Sequence, residues 1–270
     1  MIRVKTINNE VVKPMQTPDD LDKRKPRGDN LIPAPYANIY LCAKKRTGKS
    51  SVVAKMVMAF AGPETAVHIF CSTVFIDPTY IALEKWLDSK NIPYYPSTSI
   101  KDEDGHDLIN DILKTDEDFV DESNPDAPSG LLDLSEKIKT KKKKKSKFKE
   151  IKRLFVFDDL SNEIRHSTSL TALLKKNRHL LCKTIISSQW VNDLAPQCIN
   201  QLDYVFLFKS HNDAKLTEMH RKLDLSIPLE TFLKIYKMVT NDSTKYNFLY
   251  IDRFENYRVN FNKAILIGDQ

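Results

Sequence analysis

The chain has 270 residues, 41% of them apolar and 29% charged, with a formal net charge of +6. That length suffices for one α/β core with room for an arm or an insertion, and the mild basic excess does not by itself point to nucleic acid. No apolar run approaches the roughly 20 residues that span a bilayer, and residues 1 to 30 contain no signal-peptide core, so a membrane segment or secretion is not expected.

Residues 1–35 carry prolines and charges with little hydrophobic periodicity and read as an N-terminal arm. Asn38 to Cys42 is a short apolar run of the kind found in buried strands, and after a Gly48-Lys49-Ser50-Ser51 turn the segment from Val52 to Phe60 has helical length and spacing. Ala66 to Ser72 predicts a second strand and Tyr80 to Lys90 a second helix. Composition then shifts. Acidic residues dominate from Asp102 to Asp126 and lysines from Lys137 to Lys149, including five in a row at Lys141 to Lys145. Such charge segregation predicts an exposed, partly disordered insertion at about 101–150.

Beyond it, Arg153 to Leu160 predicts a strand with acidic residues at its carboxyl end, followed by a helix around Leu170 to Leu181. Strands are expected at Lys183 to Ser188, Asp203 to Lys209, Phe248 to Ile251 and Arg258 to Phe261, with a helix from Leu229 to Val239. Strands alternating with helices predict an α/β domain over residues 36–270, with a mainly parallel central sheet covered by helices on both faces. Ligands of such sheets bind beyond the carboxyl ends of the strands. The cysteines, Cys42, Cys71, Cys182 and Cys198, form no CxxC pair and read as buried reduced thiols. His68 and Cys71 make an HxxC with no second pair to complete a metal site.

Ala43-Lys44-Lys45-Arg46-Thr47-Gly48-Lys49-Ser50 follows the P-loop pattern except that alanine replaces its first glycine. In a P-loop the backbone N–H groups cradle phosphates, the lysine neutralises them and the hydroxyl holds Mg²⁺. Lys49, Ser50 and the adjoining Ser51 are therefore expected to bind nucleotide. Lys44, Lys45 and Arg46 add positive charge, which is otherwise ordinary solvated surface. The apolar run Leu154 to Phe157 ends in Asp158-Asp159, where one carboxylate belongs to the metal shell (Asp158) and the next orients or deprotonates water (Asp159). Gln189 ends the following strand, where a polar side chain senses the terminal phosphate or places the water. ATP and Mg²⁺ are the expected cofactors, and Ala43 and Asp159 are the positions at which nucleotide affinity or turnover would suffer.

Together these residues resemble the FtsK–HerA group of DNA-pumping ATPases, and most of all the genome-packaging ATPases of poxviruses and similar double-stranded DNA viruses. The segments concerned are the P-loop, His68 to Tyr80, Phe157-Asp158-Asp159, and Asn177-Arg178-His179-Leu180 running into the strand that ends at Gln189. The resemblance implies an additional-strand P-loop core, with the Asp158 and Gln189 strands beside the P-loop strand. It also implies assembly into a homo-oligomeric ring of five or six subunits and ATP-driven translocation of double-stranded DNA into a capsid through a capsid or portal protein. Arg178 is its candidate arginine finger, acting on a neighbouring subunit, with Arg165 second. The implied setting is the host cytoplasm, a viral factory or the virion. Aspartate stands at 159 where many relatives carry glutamate.

The lysine run could hold DNA phosphates, or it could be a solvated tether balanced by the acidic stretch before it. A small-molecule P-loop kinase and a nucleotide-binding scaffold without turnover are the rival readings. Asp252-Arg253-Phe254 faintly resembles a nucleoside-kinase motif but lies too late in the chain, and no guanine-reading Asn-Lys-x-Asp is present.

Overall fold

A computed structural model of the chain describes residues 22–117, 147–241 and 246–267. The first half comprises β1 (Ala37–Cys42), α1 (Lys49–Phe60), β2 (Ala66–Cys71), α2 (Pro78–Ser89), β3 (Tyr94–Ser97) and α3 (Leu108–Glu117). After the charged segment come β4 (Arg153–Asp158), α4 (Ser161–Ile164), α5 (Thr168–Lys176), β5 (Cys182–Ser188) and α6 (Pro196–Ile199). The last part holds β6 (Tyr204–Phe208), α7 (Asp213–Lys222), α8 (Leu229–Thr240), β7 (Phe248–Asp252), β8 (Tyr257–Val259) and β9 (Lys263–Ile265).

All nine strands join one sheet in the order β3-β2-β4-β5-β1-β6-β7-β8-β9. The first six in that order are parallel, and β7, β8 and β9 extend them as an antiparallel flank. Every residue of β1 is buried, as a strand covered on both faces requires. Its alternation splits the core. Ile39 and Leu41 pack with α1 and α2 on one face, while Tyr40 and Cys42 join α3, α5, α7 and α8 on the other. The mainly parallel, doubly covered P-loop sheet is thus present. Of the two strands expected beside the P-loop strand only β5 adjoins it, and the Asp158 strand lies one place further out. That inserted strand is the additional strand of this fold type.

Three expectations need correcting. Residues 101–117, predicted to lie in the exposed insertion, are folded. Asp107 accepts hydrogen bonds from the N–H groups of Ile109 (3.0 Å) and Asn110 (3.1 Å) to start α3, and from the Ser169 hydroxyl (2.6 Å) to tie it to α5. Ile109 and Leu113 are buried against the second core face, with Leu108 and Ile112 partly so. Four apolar residues on one helical stripe outweigh the acidic composition around them. The lysine run at 141–145 lies outside the described residues.

The described end of the arm is also part of the body. Leu31 and Ile32 are core residues, Arg27 pairs with Glu150 at 2.7 Å, and Pro26 bridges to Lys149. Finally, the helix expected to reach Leu181 ends at Lys176, so Arg178 sits in a turn rather than on a helix.

Elements that the sequence did not announce are short or polar. In β3, Pro96 occupies an edge strand, where a missing N–H is tolerated. In α7 only Leu216 and Met219 are buried. The last expected strand starts at Tyr257 and stops at Val259, because Asn260 takes a left-handed φ of 55°. That turn places Phe261 edge-on to Phe206, with ring centroids 5.5 Å apart.

Among the described residues no helix is long and apolar enough to cross a membrane. All four cysteines are free and buried. Burial raises the thiol pKa of Cys42 to about 12 and keeps it protonated. His68 and Cys71 point to opposite faces of β2: His68 stacks between Tyr95 and Phe155, and Cys71 joins the core around α1. Three residues apart on a strand, they cannot share a ligand.

Candidate active site

β1 delivers the chain into the loop 43–48, and α1 starts at its end. Gly48 is the N-cap of α1 at φ 90°, with no side chain capping the helix. The first amides of α1 are therefore left for an anion, and the helix dipole favours one there. The backbone angle favours glycine, and a Cβ there would also stand 2.8 Å from Tyr246 Cδ1 and displace that ring. Arg46 shares the left-handed region at φ 64°. Ala43 does not, and it lies fully buried with its N–H bonded to Ser188 O at 3.0 Å. Alanine therefore fits the first position without strain. The Thr47 hydroxyl turns back to Lys44 O at 2.7 Å and braces the loop from within.

A pocket of about 400 Å³ opens on this loop. It is lined by Lys44, Lys45, Arg46, Gly48, Lys49, Ser50 and Ser51 on one side and by Thr73, Asp77, Thr79, Asp158 and Asp159 on the other. Of the expected phosphate-binding residues, Ala43 and Thr47 sit behind the loop and the rest face the pocket. Lys49 Nζ lies 2.8 Å from Asp158 Oδ1 and 3.8 Å from Asp159 Oδ1. Asp158 is only 3% exposed, and its second oxygen accepts the Tyr80 hydroxyl at 2.7 Å. Burial first, and the Asp158 carboxylate second, raise the Tyr80 pKa well above its usual value, so Tyr80 stays a donor.

Asp159 also adopts a left-handed φ of 58°, which aspartate tolerates. Its N–H bonds Ser187 O at 3.1 Å, and its Oδ1 accepts the Gln189 side-chain amide at 3.3 Å. Gln189 is held by the turn that follows. Ser188 Oγ bonds Tyr40 OH at 2.8 Å and Trp190 O at 2.9 Å, while Lys215 lies over the Trp190 ring. On the far side of β1, His211 Nε2 is 3.2 Å from Cys42 O, and burial lowers its pKa. Three strand ends therefore bring a lysine, two carboxylates and an amide to one place. Mg²⁺ prefers hard oxygen ligands, and the Ser50 hydroxyl and the Asp158 carboxylate in one pocket fit it.

Arg178 is elsewhere. It is exposed in the turn that feeds the start of β5, whereas Gln189 follows the end of that strand. A strand of seven residues separates the two ends by roughly 20 Å. Near Arg178 stands Asp203, which accepts the Asn38 N–H at 2.9 Å and lies 3.4 Å from Arg253. Arg165, also exposed, follows α4 on the pocket side of the sheet.

Tyr80, Thr73, Asp77 and Thr79 were not foreseen as site residues, although they fall in a segment that carries the resemblance. The available signal was Asp77-Pro78: Asp77 caps α2 by accepting Thr79 N–H at 2.7 Å, with Pro78 in its first turn. That cap aims the start of α2 at the pocket.

Residues 123–256 match the model of the poxvirus A32 protein family, a span that takes in Asp158, Asp159, Arg178 and Gln189. None of the curated proteins is a match. Among solved structures, the chain is similar to B204, the DNA-packaging ATPase of Sulfolobus turreted icosahedral virus. Identity is 16%, the TM-score is 0.52, and 85% of this chain and 98% of that one are covered. The genome packaging NTPase B204 of Sulfolobus turreted icosahedral virus 2, in complex with AMPPCP, is also similar at 16% identity. There the TM-score is 0.51, with 87% and 100% of the two chains covered. The fold is thus that of P-loop packaging ATPases, and the resemblance drawn from the motifs is met by both a family model and a fold.

Proposed function

Starting from the match to the poxvirus A32 family, we propose that this chain is an ATP-hydrolysing motor that translocates double-stranded DNA, packaging a viral genome into a preformed capsid. The observation that carries this reading is the convergence of Lys49, Asp158, Asp159 and Gln189 at the ends of three strands. In it, the amides of 44–50 and the Lys49 amine bind the triphosphate, and Ser50 and Asp158 hold Mg²⁺. The ion, when bound, neutralises the β- and γ-phosphate oxygens. Asp159 accepts the proton of the attacking water while the Gln189 amide, hydrogen-bonded to the same carboxylate, orients it. Tyr80 and Lys49 fix Asp158 from either side.

Arg178 acts in trans in this reading, because its own pocket is a strand length away. Such an arginine at the far end of the sheet calls for a homo-oligomeric ring, five- or sixfold. The lysine run supplies phosphate contacts to DNA, a capsid or portal protein is the docking partner, and the setting is the host cytoplasm or a viral factory.

The test is ATP turnover with and without duplex DNA, in wild type, Lys49→Ala and Asp159→Asn. DNA should stimulate wild-type turnover, and each substitution should lower it by at least about 100-fold. Wild-type binding of ATP without turnover would point to a nucleotide-binding scaffold, and phosphoryl transfer to a nucleoside to a kinase.

A further inference from the structure

A second concavity, of about 590 Å³, adjoins the phosphate pocket and is lined by Arg46, Gly48, Ser51, Val52 and Tyr246. Arg46, Gly48 and Ser51 line both, so the two flanks share one loop. Their chemistry differs. One flank presents Asp77, Asp158 and Asp159, whereas the described lining residues of the other include no carboxylate, and its aromatic side chain is Tyr246, 59% exposed. The Tyr246 ring lies against the loop, its Cδ1 2.8 Å from where a Cβ on Gly48 would stand.

A nucleoside triphosphate is polar along its length, and the pocket is polar in the same sense. Terminal phosphates with their metal belong beside Lys49 and the carboxylates. The nucleoside must then leave the loop on the opposite flank, past Ser51 and Val52 in the first turn of α1. There the ring face of Tyr246 is the one aromatic surface among the described lining residues. We propose that Tyr246 stacks on the nucleobase, which makes this concavity the base subsite. The proposal rests on reading residues 43–51 as a triphosphate cradle. Tyr246 lies in neither the P-loop nor any of the acidic strand ends, and it precedes β7 on the antiparallel flank. That flank thereby serves the nucleotide directly.

Binding of ATP and of inorganic tripolyphosphate, each with Mg²⁺, to the full chain tests it calorimetrically. Tyr246→Ala should weaken ATP by roughly 5- to 100-fold and leave tripolyphosphate unchanged, while Tyr246→Phe, which keeps the ring, should bind ATP within about threefold of wild type. Unchanged ATP affinity in Tyr246→Ala would overturn the proposal. So would an equal loss of ATP and tripolyphosphate, since Tyr246 would then merely prop the loop. If Lys49→Ala binds both ligands as wild type does, the phosphate cradle itself is misread, a failure distinct from that of the base subsite.

Discussion

Two lysines, one at each end of the parallel sheet, are withdrawn from water in opposite ways. Lys49, at the carboxyl end, has a side chain 12% exposed and sits 2.8 Å from Asp158 Oδ1. Lys183, at the amino end on β5, is 1% exposed, and among the described residues its amine has no hydrogen-bond partner. It rests 4.0 Å above the Phe60 ring instead. Burial, only slightly countered by Asp29, lowers the Lys183 pKa to about 7. A carboxylate partner offsets the desolvation of the first lysine's charge, while burial disfavours the charge of the second with only a ring face to offset it. At the carboxyl end the lysine stands beside carboxylates in an open pocket, whereas at the amino end it is enclosed in the core against a ring.

The strongest way to break that contrast is Arg178→Ala. If the exposed arginine at the amino end serves a neighbour's γ-phosphate, assembled rings should lose about 1,000-fold or more in turnover while still binding ATP. Mixing these subunits with Lys49→Ala subunits should restore part of the rate, because some interfaces then pair an intact loop with an intact arginine. Turnover at the wild-type rate by Arg178→Ala alone would remove the amino end from catalysis.

Lys183→Met sharpens the contrast from the stability side. The pKa of Lys183 is depressed from 10.5 to about 7 by folding, so between those values the unfolded chain binds the extra proton and stability rises with pH. Below about 7 the full penalty is present. Replacing the amine should raise unfolding free energy at pH 7 by on the order of 3 kcal/mol, after allowing for the lost contact with Phe60. The gain should shrink as pH rises toward 10. Denaturant titrations at pH 7 and pH 9.5 read both, and a destabilised variant at pH 7 would contradict the account.

The smallest effect belongs to Tyr80→Phe at the organised end. Losing one buried hydrogen bond to the Asp158 carboxylate should lower stability by about 1.5 kcal/mol. Turnover should fall far less than in Asp159→Asn, because in the proposed mechanism Tyr80 only holds Asp158 while Asp159 meets the water. Equal losses in the two variants would make Tyr80 part of the chemistry.

The parts of this site legible in the sequence are those where one short segment carries both halves of a signal. Tyr40-Leu41-Cys42 before Gly48-Lys49-Ser50, and Phe157 before Asp158-Asp159, each show an apolar strand and the polar residue that ends it. Tyr80 was illegible because its partner lies 78 positions away, and no local pattern reports such a pairing. Tyr246 was missed likewise, since its relation to Gly48 is made only when β7 folds back onto the sheet. Helix α3 was hidden by composition: counting charges from Asp102 to Asp126 obscured the stripe of Leu108, Ile109, Ile112 and Leu113.

By itself, then, the sequence determined that there would be a glycine-lysine loop of P-loop pattern after a buried strand, carboxylates at the end of another and an amide at the end of a third. Hydrophobic runs and turn residues act over a few positions, and that is their range. Only the tertiary structure decided that β5 stands between the P-loop strand and the Asp158 strand. It also decided that Arg178 lies at the opposite end of the sheet from Lys49, and that an aromatic ring from the antiparallel flank reaches the loop. Those outcomes depend on which strands pair, and pairing is set by how two faces of apolar side chains are covered at once.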